Sequence, residues 1–103
     1  MKYGISLTLT LGFLGACTTT LTPEGQTIKV INTNMAKECE FVAFINEHNN
    51  GGRSAEHEIN NAILDTKNKA AELGANSVEI LDTGFDIFLG GIVKANAYKC
   101  DSW

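Results

Sequence analysis

The residues best equipped for chemistry in this sequence are three cysteines, Cys17, Cys39 and Cys100, and two histidines, His48 and His57. No Cys-x-x-Cys pair exists, and neither histidine adjoins a cysteine in the chain. The sequence therefore does not spell out a dithiol redox couple or a local Cys–His nucleophile. His48 and His57 lie on either side of a Gly-Gly turn with Glu47, Glu56 and Glu58 close by. These types can ligate a metal, but their spacing matches no strong ligand pattern. Solvated histidines and no metal are expected. Asn49-Asn50-Gly51-Gly52 lacks the Lys-Ser/Thr that completes a phosphate loop and reads as a turn. With no nucleophile–base pair and no carboxylate dyad in view, a non-enzyme without cofactor is expected. The alternative, a small-ligand binder or enzyme, would need a pocket with convergent polar groups.

Cys17 stands apart because of what precedes it. Lys2 gives a positive start, and Ile5 to Leu14 form a short apolar run. Ten residues are too few to cross a bilayer as a helix, which takes about 20. The length suits the apolar region of a signal peptide. The run ends Leu14-Gly15-Ala16-Cys17, which resembles the bacterial lipobox. That resemblance implies a diacylglyceryl group on the Cys17 sulfur, cleavage after Ala16 and acylation of the new amine. Several acyl chains hold a protein firmly where one binds weakly. The other reading is an ordinary secretory leader that leaves Cys17 free. Thr18 follows Cys17, where Asp would be the inner-membrane retention signal. The implied location is the periplasmic face of the bacterial outer membrane, with the inner membrane as the alternative. The division expected is residues 1–16 as signal peptide, 17–26 as lipidated cysteine and short tether, and 27–103 as the periplasmic domain. The partner implied by Cys17 is the lipid bilayer.

With Cys17 assigned to lipid, Cys39 and Cys100 remain as an even pair. In an oxidising compartment a disulfide is the default. Closing a loop of about 60 residues contributes roughly 4 kcal/mol in the chain-entropy model, a large share for a small domain. A redox or catalytic thiol is the alternative. The chain has 103 residues and a net charge of −4. It is long enough for one small domain. An acidic balance argues against nucleic acid as a partner and against electrostatic docking on anionic lipid.

The elements that must position these residues follow from periodicity. Residues 27–31 alternate and are rich in β-branched side chains, which predicts a strand. Asn32 to Asn34 offer a cap for a helical turn over 35–38. Residues 40–46 form a second strand with an apolar middle, expected at the centre of the sheet. Ser54 is a candidate N-cap, with Glu56 and Glu58 in the first turn. Ile59, Ile63, Thr66, Ala70 and Leu73 then recur at helical spacing, widened by Ala62 and Ala71. Gly74 is placed to end that helix. Asn61, Asp65, Lys69 and Glu72 are expected on its solvated face. Residues 76–81 form a third strand, followed by a turn at 82–84. Residues 92–100 form the last, with Val93, Ala95 and Ala97 on one face. The fold class predicted is α+β: a small antiparallel sheet of about four strands packed against one main amphipathic helix, with one disulfide.

Read in order, Leu21-Thr22-Pro23-Glu24-Gly25, Ile28-Lys29-Val30, Cys39, residues 69–76 (Lys-Ala-Ala-Glu-Leu-Gly-Ala-Asn) and Ala97-Tyr98-Lys99-Cys100 form a pattern. It resembles small proteobacterial lipoproteins of unknown function that are distantly similar to the Rcs envelope-stress sensor lipoprotein. The resemblance implies a compact α+β domain stapled by disulfide. The chain departs from the sensor in having cysteines for one disulfide instead of two, and in lacking a long Pro-rich linker.

Phe85, Ile87, Phe88 and Leu89 lie between Gly84 and Gly90. Such a segment either tucks onto the core or forms an apolar loop that meets a partner or lipid. The function expected is a membrane-anchored periplasmic lipoprotein acting through contact with an envelope protein. The alternative is an envelope-stress sensor signalling to an inner-membrane partner.

Overall fold

The computed structural model describes residues 20–101. Cys17 and the residues read as a leader lie outside that range. A 3-10 turn at Gly25–Thr27 leads into β1 (Lys29–Val30) and α1 (Thr33–Ala36). There follow β2 (Glu40–Asn49), α2 (Ala55–Glu72), β3 (Ser77–Asp86) and β4 (Gly90–Lys99). The four strands form one sheet in the order β1-β3-β4-β2. The α+β class is as predicted. The β2–β4 and β3–β4 pairs are antiparallel, whereas β1 runs parallel to β3, so the sheet is mixed.

The long helix forms where the caps place it. The Ser54 hydroxyl accepts from the His57 amide at 3.2 Å, and Gly74 follows the last turn at φ +88°. Ala62, Thr66 and Ala70 are fully buried against the sheet, where Val93, Ala95, Ala97 and Val78 are equally buried. Small side chains on both partners let α2 lie close to β4. Gly91 marks the tightest approach, since a methyl group there would overlap the backbone of Glu58 and Ile59. Thr66 is satisfied in this apolar layer by donating its hydroxyl to the Ala62 carbonyl at 2.7 Å.

The helix covers only one face of the sheet. On the other, α1 and the Cys39–Cys100 disulfide close one end, around a cluster of Ile31, Ala36 and Cys100. The S–S distance is 2.06 Å. Asn32 caps α1 by accepting from the Met35 amide at 2.9 Å. Two expectations are corrected here. β2 is an edge strand, and its Phe41 and Phe44 are each more than half exposed on the uncovered face. Phe41 packs edge-on against Tyr98 with ring centroids 5.9 Å apart. The turn expected at 82–84 does not occur. β3 continues through it, paired with Lys94, Val93 and Ile92, after a register shift between Ile80 and Asp82.

Candidate functional site

Because β3 runs on to Asp86, the chain reverses at Ile87 to Leu89, and the β3–β4 hairpin carries its apolar residues at its tip. Ile87 is 81% exposed and Phe88 83%, with Phe85 and Leu89 also exposed. The reading in which this segment tucks onto the core is thereby overturned. Among the described residues nothing buries the tip, and β4 returns from it to pass close to the N-terminal end of α2 at Gly91. The turn is held by one side chain. The Asp86 carboxylate accepts from the Phe88 amide at 2.7 Å and the Leu89 amide at 3.0 Å. Those two backbone bonds hold its pKa below the ordinary aspartate value. Asp86 is the residue of this candidate site that sequence reasoning passed over, although an Asp opening a turn that ends in Gly is a recognisable signal.

At the other end of α2, residues 20–25 lie against the helix. Asn68 holds them through both ends of its amide. Its oxygen accepts from the Thr22 amide at 2.9 Å and the Thr22 hydroxyl at 3.0 Å. Its nitrogen donates to the Thr20 carbonyl at 2.9 Å. Thr22 in turn accepts from the Gly25 amide at 2.9 Å. The part of the expected tether that is described is therefore docked, in keeping with the apolar Leu21. Nothing in the local sequence singles out Asn68, since its partners lie more than 40 residues away.

Other polar groups are absorbed by the fold. Glu79 is buried on the open face, accepting from Thr33 Oγ1 at 2.5 Å and Tyr98 Oη at 3.1 Å. Burial, then that bond to Glu79, pushes the Tyr98 phenol up. Asn61, expected on the solvated face, is buried and donates to Asn49 Oδ1 at 3.4 Å. Asn49 also donates to Asp65 at 3.1 Å. Burial first, and Asp65 second, raises the pKa of nearby Glu47. These contacts seal the seam between β2 and α2.

The histidines do not come together. His48 sits in β2 opposite Ile92, and His57 accepts from the Arg53 amide at 3.1 Å through Nδ1. Among the described residues no group of three His, Cys, Asp or Glu is placed to hold a metal ion. A groove of about 190 Å³ lies beside the docked segment, lined by Thr22, Glu24, Asn68, Ala71 and Glu72. That is below the ~300–1,000 Å³ usual for a small-molecule site. Among the described residues no helix is long and apolar enough to cross a membrane.

No curated protein and no solved structure matches this chain. A family model does, over residues 19–100, a span that runs from the docked segment through the hairpin to Cys100. Those residues make up nearly the whole of the described domain, and the chain accordingly belongs to the DUF4156 family, a domain of unknown function.

Proposed function

We propose that this protein is a lipid-anchored lipoprotein of the bacterial envelope, held at the periplasmic face of the outer membrane through acylated Cys17. It is non-catalytic and acts by protein–protein contact through the β3–β4 tip. The observation that carries this reading is the tip itself: four apolar side chains displayed on a turn whose geometry is fixed by Asp86. Burial of such side chains contributes about 1.5–3 kcal/mol each, and a preformed turn lowers the entropic cost of binding. The lipobox-like Leu14-Gly15-Ala16-Cys17 supports the anchor.

The test combines two measurements. Intact mass of the mature protein should show acyl chains on Cys17 and cleavage after Ala16. The double variant Phe85→Ser/Phe88→Ser should keep the circular dichroism spectrum and lie within about 1 kcal/mol of the parent in stability, because both rings are exposed. It should nevertheless lose crosslinks to envelope proteins in native membranes. A variant that unfolds, or one that retains those crosslinks, sinks the contact reading. An envelope-stress sensor of the kind the Rcs resemblance implies would need reach toward a partner in the inner membrane. The docked segment works against that reach.

A further inference from the structure

Asn50-Gly51 is the one Asn-Gly step in the sequence. An asparagine side chain and the backbone nitrogen that follows it can close a cyclic imide, provided that the nitrogen reaches Cγ. Glycine in the following position favours closure, because it has no Cβ to crowd the approach and the widest choice of backbone angles.

The fold leaves this step open at one asparagine. Asn46, Asn60, Asn61, Asn68 and Asn96 lie inside β2, α2 and β4, where regular φ and ψ hold the next nitrogen in place. Asn76 has its carboxamide clamped from both ends, accepting from the Cys100 amide at 2.9 Å and donating to the Cys100 carbonyl at 2.7 Å. Asn50 is exposed in the loop just past β2. The Gly51 amide donates to the Asn49 side chain at 2.9 Å, a bond that water can replace at an exposed position. The foot of this loop is packed. Asn49 pairs with Gly91, and a methyl group on Gly90 would overlap the Asn49 carbonyl and the Asn50 Cα. Gly90 begins β4 and follows Leu89, so Asn50 sits at the base of the apolar hairpin tip.

We infer that Asn50 is a site of spontaneous modification, where attack by the Gly51 nitrogen converts a neutral amide into a carboxylate at the base of the tip. The Gly51 N–H gives its proton to water, and the nitrogen bonds to Asn50 Cγ. The Cγ–Nδ2 bond breaks, and ammonia leaves after taking up a proton from water, giving a succinimide. Water then opens the ring. Attack at Cγ restores the chain with an aspartate at position 50. Attack at the α-carbonyl carbon reroutes the main chain through the side chain as isoaspartate. The sum is amide plus water to carboxylate plus ammonium, with no oxidant or reductant. The isoaspartate form adds a methylene to the main chain before Gly51, which shifts the Gly51 amide away from Asn49. This inference is independent of the anchor and contact readings above.

The experiment incubates the full-length protein at mildly alkaline pH, both folded and in urea. Peptide mapping follows the exchange of NH₂ for OH at each asparagine, and isoaspartate methyltransferase labelling detects the rerouted chain. Residue 50 should change at least about tenfold faster than any other asparagine in the folded protein, with aspartate and isoaspartate both formed. Gly51→Ala should slow it by at least about tenfold at an unchanged melting temperature. Gly51 is not at positive φ, so alanine suits its backbone. Asn50→Gln, whose longer side chain closes the ring slowly, gives the same readout if alanine disturbs the loop. A folded rate more than about tenfold below the rate in urea would show that the fold shields Asn50, and overturns the inference. Faster change at another asparagine in the folded protein also overturns it, as do equal rates in the parent and both variants.

Discussion

The side-chain oxygen of Asn68 receives both the backbone amide and the hydroxyl of Thr22, at 2.9 and 3.0 Å. One half-buried amide on a helix thus holds the start of the described chain against the domain. Replacing it by Ala removes those bonds and the one to Thr20. At about 0.5–1.5 kcal/mol net per hydrogen bond, with discount for exposure, Asn68→Ala should cost about 1–2 kcal/mol. The more specific readout is exchange of the Thr22 amide, which should accelerate by tenfold or more while amides in β4 keep their protection. An unchanged Thr22 amide would show that something other than Asn68 holds the segment.

The disulfide ties the start of β2 to the end of β4 across a sequence separation of 61. In the chain-entropy model its loss costs about 4 kcal/mol. The double variant Cys39→Ser/Cys100→Ser should therefore show a large fall in its urea midpoint, comparable to most of the stability of a small domain. A fall below about 1 kcal/mol would mean that the unfolded chain was not being constrained by the bridge.

Gly91 and Gly84 give a matched pair. A methyl group at Gly91 collides with the backbone of α2, which cannot move aside without lifting off the sheet. A methyl group at Gly84 meets nothing within 4 Å. Gly91→Ala should cost roughly 1–3 kcal/mol or more, and Gly84→Ala should stay near neutral. Thermal denaturation of the two variants side by side decides this, and equal melting temperatures would refute the close packing of α2 on β4.

The tip should loosen in acid. The pKa of Asp86 is lowered in the folded state, so its contribution is fully present above the ordinary aspartate value of 3.8. It is lost as pH falls through the lowered folded value. The amide resonances of Phe88 and Leu89 should titrate with a midpoint below 3.8, and those of Val93 and Ala95 should stay still. In Asp86→Ala the tip resonances should no longer titrate. A midpoint at or above 3.8 in the parent would contradict the two backbone bonds.

Much of the fold was legible because its signals are local. Ser54, Asn32 and Gly74 act at helix ends through their own side chain or backbone, within a few residues. The 93-95-97 alternation likewise marks one buried face. What was not legible depended on neighbours distant in sequence. The apolar run at Phe41 to Ile45 suggested a central strand, but the uncovered face of the sheet lets Phe41 and Phe44 stand in solvent beside Tyr98. Asp82-Thr83-Gly84 has turn chemistry, yet pairing with β4 outweighed it. Asn61 has the polarity of a surface residue and is buried because Asn49 meets it. Of the candidate site, the four apolar tip residues could be named in advance. Their exposure could not, since it depends on where β3 ends.

The two edges of the sheet are unequal. β1 offers two residues, while β2 offers ten along a border with no neighbouring strand among the described residues. A sheet can lengthen only where a border is long enough to template another strand, so β2 is the side on which this domain is prone to self-association when crowded or partly unfolded. The register shift between Phe41 and Ala43, with Glu40, Glu47 and His48 along the strand, interrupts that template. Replacements along this strand should therefore be judged by aggregation as well as by melting temperature.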